Sequence, residues 1–411
     1  MLRNIPLSRV VKAGVRNAHP SAFSHWAKNA FAVRKAPVAS IEHLRATMEW
    51  LRAADDASPA GGVSGGYSLI DGWLDPYPET TGYIIPTFYD YAQMTGETEW
   101  RDRAKAMAEW EIDVQMPNGA VQAGLYKGKD AKQVEAVFNT GQVILGWCRA
   151  FVENNDDRYL TAAKRAGDWL ISVQDEDGAW RFESQETETS VHAYDVRTAW
   201  GLLEIYELTG DEKYAAAARR NLDWTLAQQY ENGWFDNNAF FTNSAKWSAP
   251  FTHTIAYVME GLQEAYRILD DERYLTAYAK TAEKLLRIFE LRKKMAGDFD
   301  QNWKKSGDYS CLTGNAQIAG VWLKHYQTTG DIRFLNAALK LTDDVKRSQN
   351  ITSMHRGICG GVQGSYPVTG KYTPFIFPNW AAKFLADTLI LEEKTMEVFE
   401  KKVLNGENLC S

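Results

Sequence analysis

Apolar residues in this chain alternate between two patterns, and the pair recurs about every sixty residues. In 158–174, Tyr159, Ala162, Ala163, Ala166, Trp169, Leu170 and Val173 keep the i, i+3, i+4, i+7 spacing of a helix with one buried face. From Asn139 onward, Val143, Ile144, Leu145, Trp147, Cys148, Phe151 and Val152 surround the axis instead, as in a helix buried on every side. Segments of the all-round kind are expected at 82–95, 139–153, 195–208, 253–268, 314–328 and 379–392. Segments of the one-sided kind alternate with them at 41–54, 99–115, 158–174, 213–229, 273–290 and 333–349. Such self-similarity is the mark of a repeat architecture. Six inner and six outer helices in alternation predict an all-α (α/α)6 barrel.

Five short copies join inner to outer helices, beginning at Met94, Asn154, Leu208, Ile268 and Thr328 (TGETEW, NDDRYL, TGDEKY, LDDERY and TGDIRF in their core). Gly or Asn supplies a left-handed C-cap, Thr or Asp an N-cap oxygen, and an aromatic opens the next helix. The other connections, 55–81, 116–138, 175–194, 230–252, 291–313 and 350–378, are long. Long loops are usually functional, so the rim carrying the inner-helix N-termini is the expected working face.

The composition of 45% hydrophobic and 24% charged residues over 411 positions is that of a globular chain. Cys148, Cys311, Cys359 and Cys410 have no ligand-like spacing, which argues against a disulfide framework or zinc site. No metal or cofactor is expected. No run of eighteen apolar residues occurs, and residues 1–30 lack the apolar core of a secretory signal. A cytoplasmic setting is therefore expected.

Charge is unevenly spread. Residues 1–41 contain Arg3, Arg9, Lys12, Arg16, Lys28, Arg34 and Lys35 and no acid, although the whole chain carries −7. The expected division is a basic arm at 1–40, the barrel at 41–393 and a tail at 394–411. Leu7, Val10, Val11, Val15 and Ala18 share one helical face, so the arm suits an amphipathic helix packed on the body, an organelle address, or contact with anionic lipid or an acidic partner. An acidic body without a basic stripe excludes nucleic acid.

Rim loops rich in Trp, Tyr, Asn, Asp and Gly suit sugars, whose C–H faces pack on aromatic planes while their hydroxyls need polar partners. Trp73, Tyr77, Trp180, Trp234, Trp247 and Trp303 are candidate platforms, with Asn139, Asp236, Asn315 and Asn379 as candidate polar contacts. Glu79 and Asp195 directly precede inner helices, while Asp71, Asp75 and Asp300 lie in loops. Hydrolysis of a glycosidic bond needs one protonated and one ionised carboxyl. A helix dipole favours Asp195 as the ionised group, and Glu79 beside Tyr77 and Pro78 as the acid. His253 opens an inner helix at the same rim, with His192 and His355 in rim loops. With Arg197 to neutralise a uronate, His253 as proton carrier serves an epimerase or lyase.

Gln174-DEDGAW, with weaker echoes at Gln115-MPNGAV and Gln229-YENGWF, resembles the repeat of terpenoid cyclase and prenyltransferase toroids. The acid clusters of that chemistry, DxDD or DDxxD, are missing, and the motif reads as a fastening device at helix ends. The rim signatures Tyr77-PETTGY, Tyr194-DVRTAWGLLEIY, His253-TIAYVMEGLQEAY and Gly314-NAQIAGVW resemble the six-hairpin glycosidase-like superfamily over about residues 40–393. That superfamily includes glycoside hydrolases, unsaturated uronyl hydrolases, polysaccharide lyases and sugar epimerases. The resemblance implies a carbohydrate-active enzyme on a poly- or oligosaccharide. Glycoside hydrolysis is the first expectation, with Glu79, Asp195 and His253 as catalytic candidates. A uronate C5-epimerase or lyase, a terpenoid-type enzyme and a non-catalytic glycan-binding or scaffold barrel follow in that order.

Overall fold

The computed structural model describes residues 36–181, 191–240 and 249–405. The basic arm as far as residue 35, and Trp247, lie outside the described residues. All twelve expected helices are present: α1 (Ser40–Asp56), α2 (Pro78–Thr95), α3 (Thr98–Val114), α4 (Val137–Asn154), α5 (Asp157–Ser172) and α6 (Val196–Thr209) in the first half. The second half holds α7 (Glu212–Ala227), α8 (Thr252–Leu269), α9 (Glu272–Arg292), α10 (Leu312–Thr329), α11 (Ile332–Lys346) and α12 (Asn379–Leu404). Two ends differ from expectation. α2 starts at Pro78 rather than 82, because proline needs no N–H partner in a first turn and its φ is already helical. α12 runs past 392 to Leu404, stabilised by the packing of Met396 and Phe399 and by a Lys401–Glu397 pair, so 394–404 is helix rather than tail.

The even-numbered helices form a closed inner ring in chain order, α12 returning to α2, and each odd-numbered helix backs an inner one. Small residues let the inner helices touch. A Cβ on Gly146 would lie 2.3 Å from the carbonyl oxygen of Gly82, and one on Gly201 2.6 Å from that of Gly141.

The short turns follow the sequence signals. Gly96, Asn155, Gly210, Asp270 and Gly330 are left-handed caps, and the side chains of Asp156, Asp211, Asp271 and Asp331 accept from the backbone N–H two residues on. Glu97, in the same place, makes no cap.

The glutamine motif fastens neighbouring hairpins. The amide of Gln174 donates to the carbonyls of Gly178 and of Ala217 on the next outer helix, both at 3.0 Å. Gln115 does the same with Gly119 and Ala162, and Gln229 reaches Ala277. Gln349 closes the ring by donating to Thr47 Oγ1 on α1 at 2.7 Å.

On the opposite rim the long loops hold one another. β1 (Gly66–Ser68), β2 (Gly72–Trp73) and β5 (Ile376–Pro378) make a small antiparallel sheet in the order β2-β1-β5. β3 (Ser310–Cys311) pairs with β4 (Ser365–Tyr366). The last long loop is therefore paired both to the first and to the fifth. No helix among the described residues is long and apolar enough to cross a membrane.

Candidate active site

Three inner-helix starts bring Glu79, Asp195 and His253 to the long-loop rim, all of them buried. Between them stand tyrosines. The Tyr194 ring lies 5.2 Å from Phe138 and 6.4 Å from Tyr257, and Tyr257 lies 4.2 Å from His253. Tyr372, from the last long loop, lies 5.5 Å from His253 and accepts a 2.8 Å hydrogen bond from Trp380 Nε1. Burial first, and among other neighbours Glu79, push the hydroxyls of Tyr83, Tyr194, Tyr257 and Tyr372 upward. One carboxyl is thus felt by residues of four different rim elements. Half-buried Phe138 and Phe240 pack against Tyr194, and half-buried Tyr77 lies 6.2 Å from Trp380; these rings are the aromatic mouth of the rim.

The electrostatics separate the two acids. Burial drives the Glu79 carboxyl up to about 7, against the opposing pull of a hydrogen bond from Tyr77 and of Arg197. Asp195 is pushed far above the usual carboxylate range by burial alone. The expectation that the helix dipole keeps Asp195 ionised is therefore overturned. Its side chain makes no cap to the helix, and desolvation exceeds the fraction of a charge that a helix end supplies. His253 is held as a neutral imidazole. Burial, opposed by a hydrogen bond to Gln317 and reinforced by Arg197, lowers it to about 3, so it stays neutral over the physiological range. His192 is lowered to about 4, chiefly by burial, and stacks on Tyr194 at 4.4 Å.

Several expected substrate contacts have structural duties instead. Arg197 is 1% exposed, ion-pairs with Glu260 and donates to Gln142 Oε1 at 2.8 Å, so it has no free fork for a uronate. Trp234 and Trp303 are buried edge-to-face against each other at 5.4 Å, because two long loops need an apolar centre of their own. Trp180 is buried too, its N–H bonded to the Leu170 carbonyl. Asn139 donates to the carbonyl of Gln122, and Asn379 to the carbonyl of Ser64 and to Thr80 Oγ1, tying loops to helix starts. Asp236 is exposed and accepts from the Tyr230 hydroxyl, while Asp71 accepts from Ser68 and Asp300 caps its own turn. Asn315 is 1% exposed with its Oδ1 unpartnered among the described residues. Trp73 is half-buried on β2, beside Tyr67 and Trp50, and His355 hydrogen-bonds Tyr67 in the same cluster. Among the described residues, Tyr77 is the expected platform that reaches Glu79.

Tyr194, Tyr257, Tyr372, Trp380 and Gln317 escaped the sequence reading. Tyr194, Tyr257 and Gln317 sit in the rim signatures, but helical periodicity gives them no distinction from core residues. Among the described residues no group of three His, Cys, Asp or Glu side chains is arranged to hold a metal ion.

Residues 39–296 match the family model described as Beta-L-arabinofuranosidase, GH127 catalytic domain. The chain belongs to that family. All three rim candidates of this GH127-family protein lie inside the matched span, whereas Gln317, Tyr372 and Trp380 lie beyond it. A comparison with curated proteins gives no match. Similar solved structures include an unsaturated glucuronyl hydrolase specific for heparin, at 13% identity and TM-score 0.68, covering 86% of this chain and 97% of its own. A sugar epimerase from a ruminal bacterium aligns at 16% identity and TM-score 0.65 over 84% of this chain and 98% of its own. A GH76 α-mannanase from Bacteroides thetaiotaomicron aligns at 14% and 0.62 over 88% and 98%. These likenesses establish the barrel. The GH127-family chain is a carbohydrate-active enzyme of the glycoside hydrolase kind that its family model describes.

Proposed function

We propose that the protein hydrolyses a glycosidic bond in an oligo- or polysaccharide held at the aromatic mouth. The observation that carries this is Glu79, a buried carboxyl raised to about 7 at the point where Tyr77, Tyr83, Tyr194, Tyr257 and Tyr372 converge. Still substantially protonated near neutral pH, it is suited to give its proton to a leaving-group oxygen. Asp195 is the second carboxyl. Burial favours its protonated form in the desolvated resting site, so it must first pass that proton to water entering with the substrate before its carboxylate can face an oxocarbenium-like centre. The half-buried rings of Tyr77, Phe138, Phe240 and Trp380 suit the C–H face of a sugar. The β-L-arabinofuranosidase description of the matched family makes L-arabinofuranosides the first substrates to try.

A sugar epimerase is the second reading, favoured by two neutral imidazoles, His192 and His253, set against Tyr194 and Tyr257. Incubation with arabinofuranosides and a panel of neutral and acidic polysaccharides separates the chemistries. New reducing ends mark hydrolysis, absorbance from unsaturated uronates marks elimination, and deuterium uptake without cleavage marks epimerisation. Loss of turnover with retained binding in Glu79→Gln supports the assignment; unchanged turnover removes Glu79 from it.

The same reading takes 41–393 as the catalytic unit of a cytoplasmic enzyme whose basic first forty residues contact an anionic membrane surface or an acidic partner. Sedimentation with phosphatidylserine vesicles, full-length against a chain starting at Ser40, tests that contact.

A further inference from the structure

The His253 ring is held from behind by a short chain of side chains. Burial pushes the Glu260 carboxyl upward, opposed first by Arg197, whose guanidinium donates directly to it, and then by Lys383 and Lys324; the carboxyl is therefore placed as an acceptor from Arg197. The amide of Gln317 spans the two oxygens of Glu260, its Nε2 at 3.3 and 3.2 Å from them. Paired with Arg197, the carboxylate only accepts hydrogen bonds. The nitrogen end of Gln317 must therefore face Glu260, and its Oε1 must face away. That oxygen lies 2.5 Å from His253 Nδ1 and can itself only accept. A proton has to sit on Nδ1.

We propose that Gln317 and Glu260 lock His253 in the Nδ1–H tautomer, leaving a lone pair on Nε2 to accept a hydrogen bond from a substrate hydroxyl, and that Gln317 is thereby a positioning residue of the site. The ring has little freedom to turn. Tyr257 lies 4.2 Å away and Phe240, Tyr372 and Phe384 surround it at 5.5 to 6.1 Å. Its backbone is fixed as well, since a Cβ on Gly314 would come within 2.6 Å of the His253 nitrogen. Among aromatic walls, a single acceptor distinguishes a sugar carrying a hydroxyl from its deoxy analogue, the kind of discrimination that a site built to bond a hydroxyl achieves best. This inference rests on the saccharide reading of the rim.

The test is a long-range 1H–15N correlation spectrum of the full chain labelled at histidine, with His253→Asn used to assign the ring. The expected pattern is a protonated-type Nδ1 and a bare, imine-type Nε2. In Gln317→Leu the lock is gone, and a second population with the proton on Nε2 is expected. A protonated Nε2 in the wild-type ring overturns the proposal, as does a Gln317→Leu spectrum with the tautomer unchanged. If Gln317→Leu does not fold, the wild-type spectrum alone decides. Because the readout needs no turnover, a failure of hydrolysis on the polysaccharide panel is distinguishable from failure of the lock.

Discussion

Two ends of one barrel axis supply their carboxyls with very different partners. At the long-loop rim Glu79 and Asp195 are buried with no cation among the described residues bonded to either, and both rise. Toward the other rim, a cavity of about 380 Å³ is lined by Glu260, Glu264 and Asp387, each in an ion pair: with Arg197, with Lys324 and Arg267, and with Lys383. Burial pushes Glu264 up, yet its two cations outweigh burial and bring it below its ordinary range. Glu260, beside Arg197, still rises, whereas Glu264, bonded to both Lys324 and Arg267, is brought down. What separates them is the supply of partners.

Glu111 sharpens the contrast. It sits on the outer helix α3, fully buried, with both oxygens unpartnered among the described residues, and burial raises it well above its ordinary value. It is elevated like Asp195 but lies in the packed wall between helices. An elevated carboxyl becomes a site only where a rim gives it polar company and access.

The largest expected effect comes from the rim. Glu79→Gln should cost on the order of a thousandfold in kcat, within the usual range for a general acid, with saccharide binding retained by calorimetry. Activity of the wild-type enzyme should fall as pH rises through about 7, where Glu79 loses its proton.

Next comes the paired end. Arg197→Met strands Glu260 in the interior and should destabilise the fold by about 3–5 kcal/mol in denaturant unfolding, while the double change Arg197→Met, Glu260→Met recovers most of it. Removing the cation should also move the Glu79 limb of the pH profile upward, since Arg197 holds it down. A single variant with unaltered stability would break the comparison.

The third effect is on stability against pH. Glu79 holds its proton more tightly folded than unfolded, so it costs nothing below pH 4.5 and an increasing amount as pH climbs to about 7. At about 1.4 kcal/mol per tenfold, that reaches about 3 kcal/mol. Glu79→Gln should therefore gain about that much over wild type at pH 8 and nothing at pH 4. A gain independent of pH would mean that ionisation is not its source. Smallest is Glu111→Leu, expected to add about 1–3 kcal/mol by removing an unsatisfied buried group without touching turnover.

Much of the architecture was legible from local pattern. Tyr159 through Val173 striped one face and Val143 through Val152 surrounded an axis, and both helices formed as those periods require. The left-handed caps at Gly96, Asn155, Gly210 and Gly330 are backbone demands that a residue type announces directly. Asp270 took the same conformation at a position expected for Gly or Asn, within the tolerance of a short polar side chain. The candidate site was less legible. Trp234 and Trp303 look like platforms in a loop sequence and prove to be each other's core. Tyr372 and Trp380 reach the mouth only because β5 and the last loop fold back across the rim.

The order of residues by itself determined the twelve helices, their two layers and the rim to which Glu79, Asp195 and His253 belong. Periodicity and capping are local properties, and ring closure follows once every inner helix must be covered on all sides. Which carboxyl ionises, which arginine is free and which nitrogen of His253 holds its proton were decided only by the tertiary structure. Those depend on partners far apart in the chain, Arg197 on Glu260 and His253 on Gln317, and on how much water the packed rim leaves around each group.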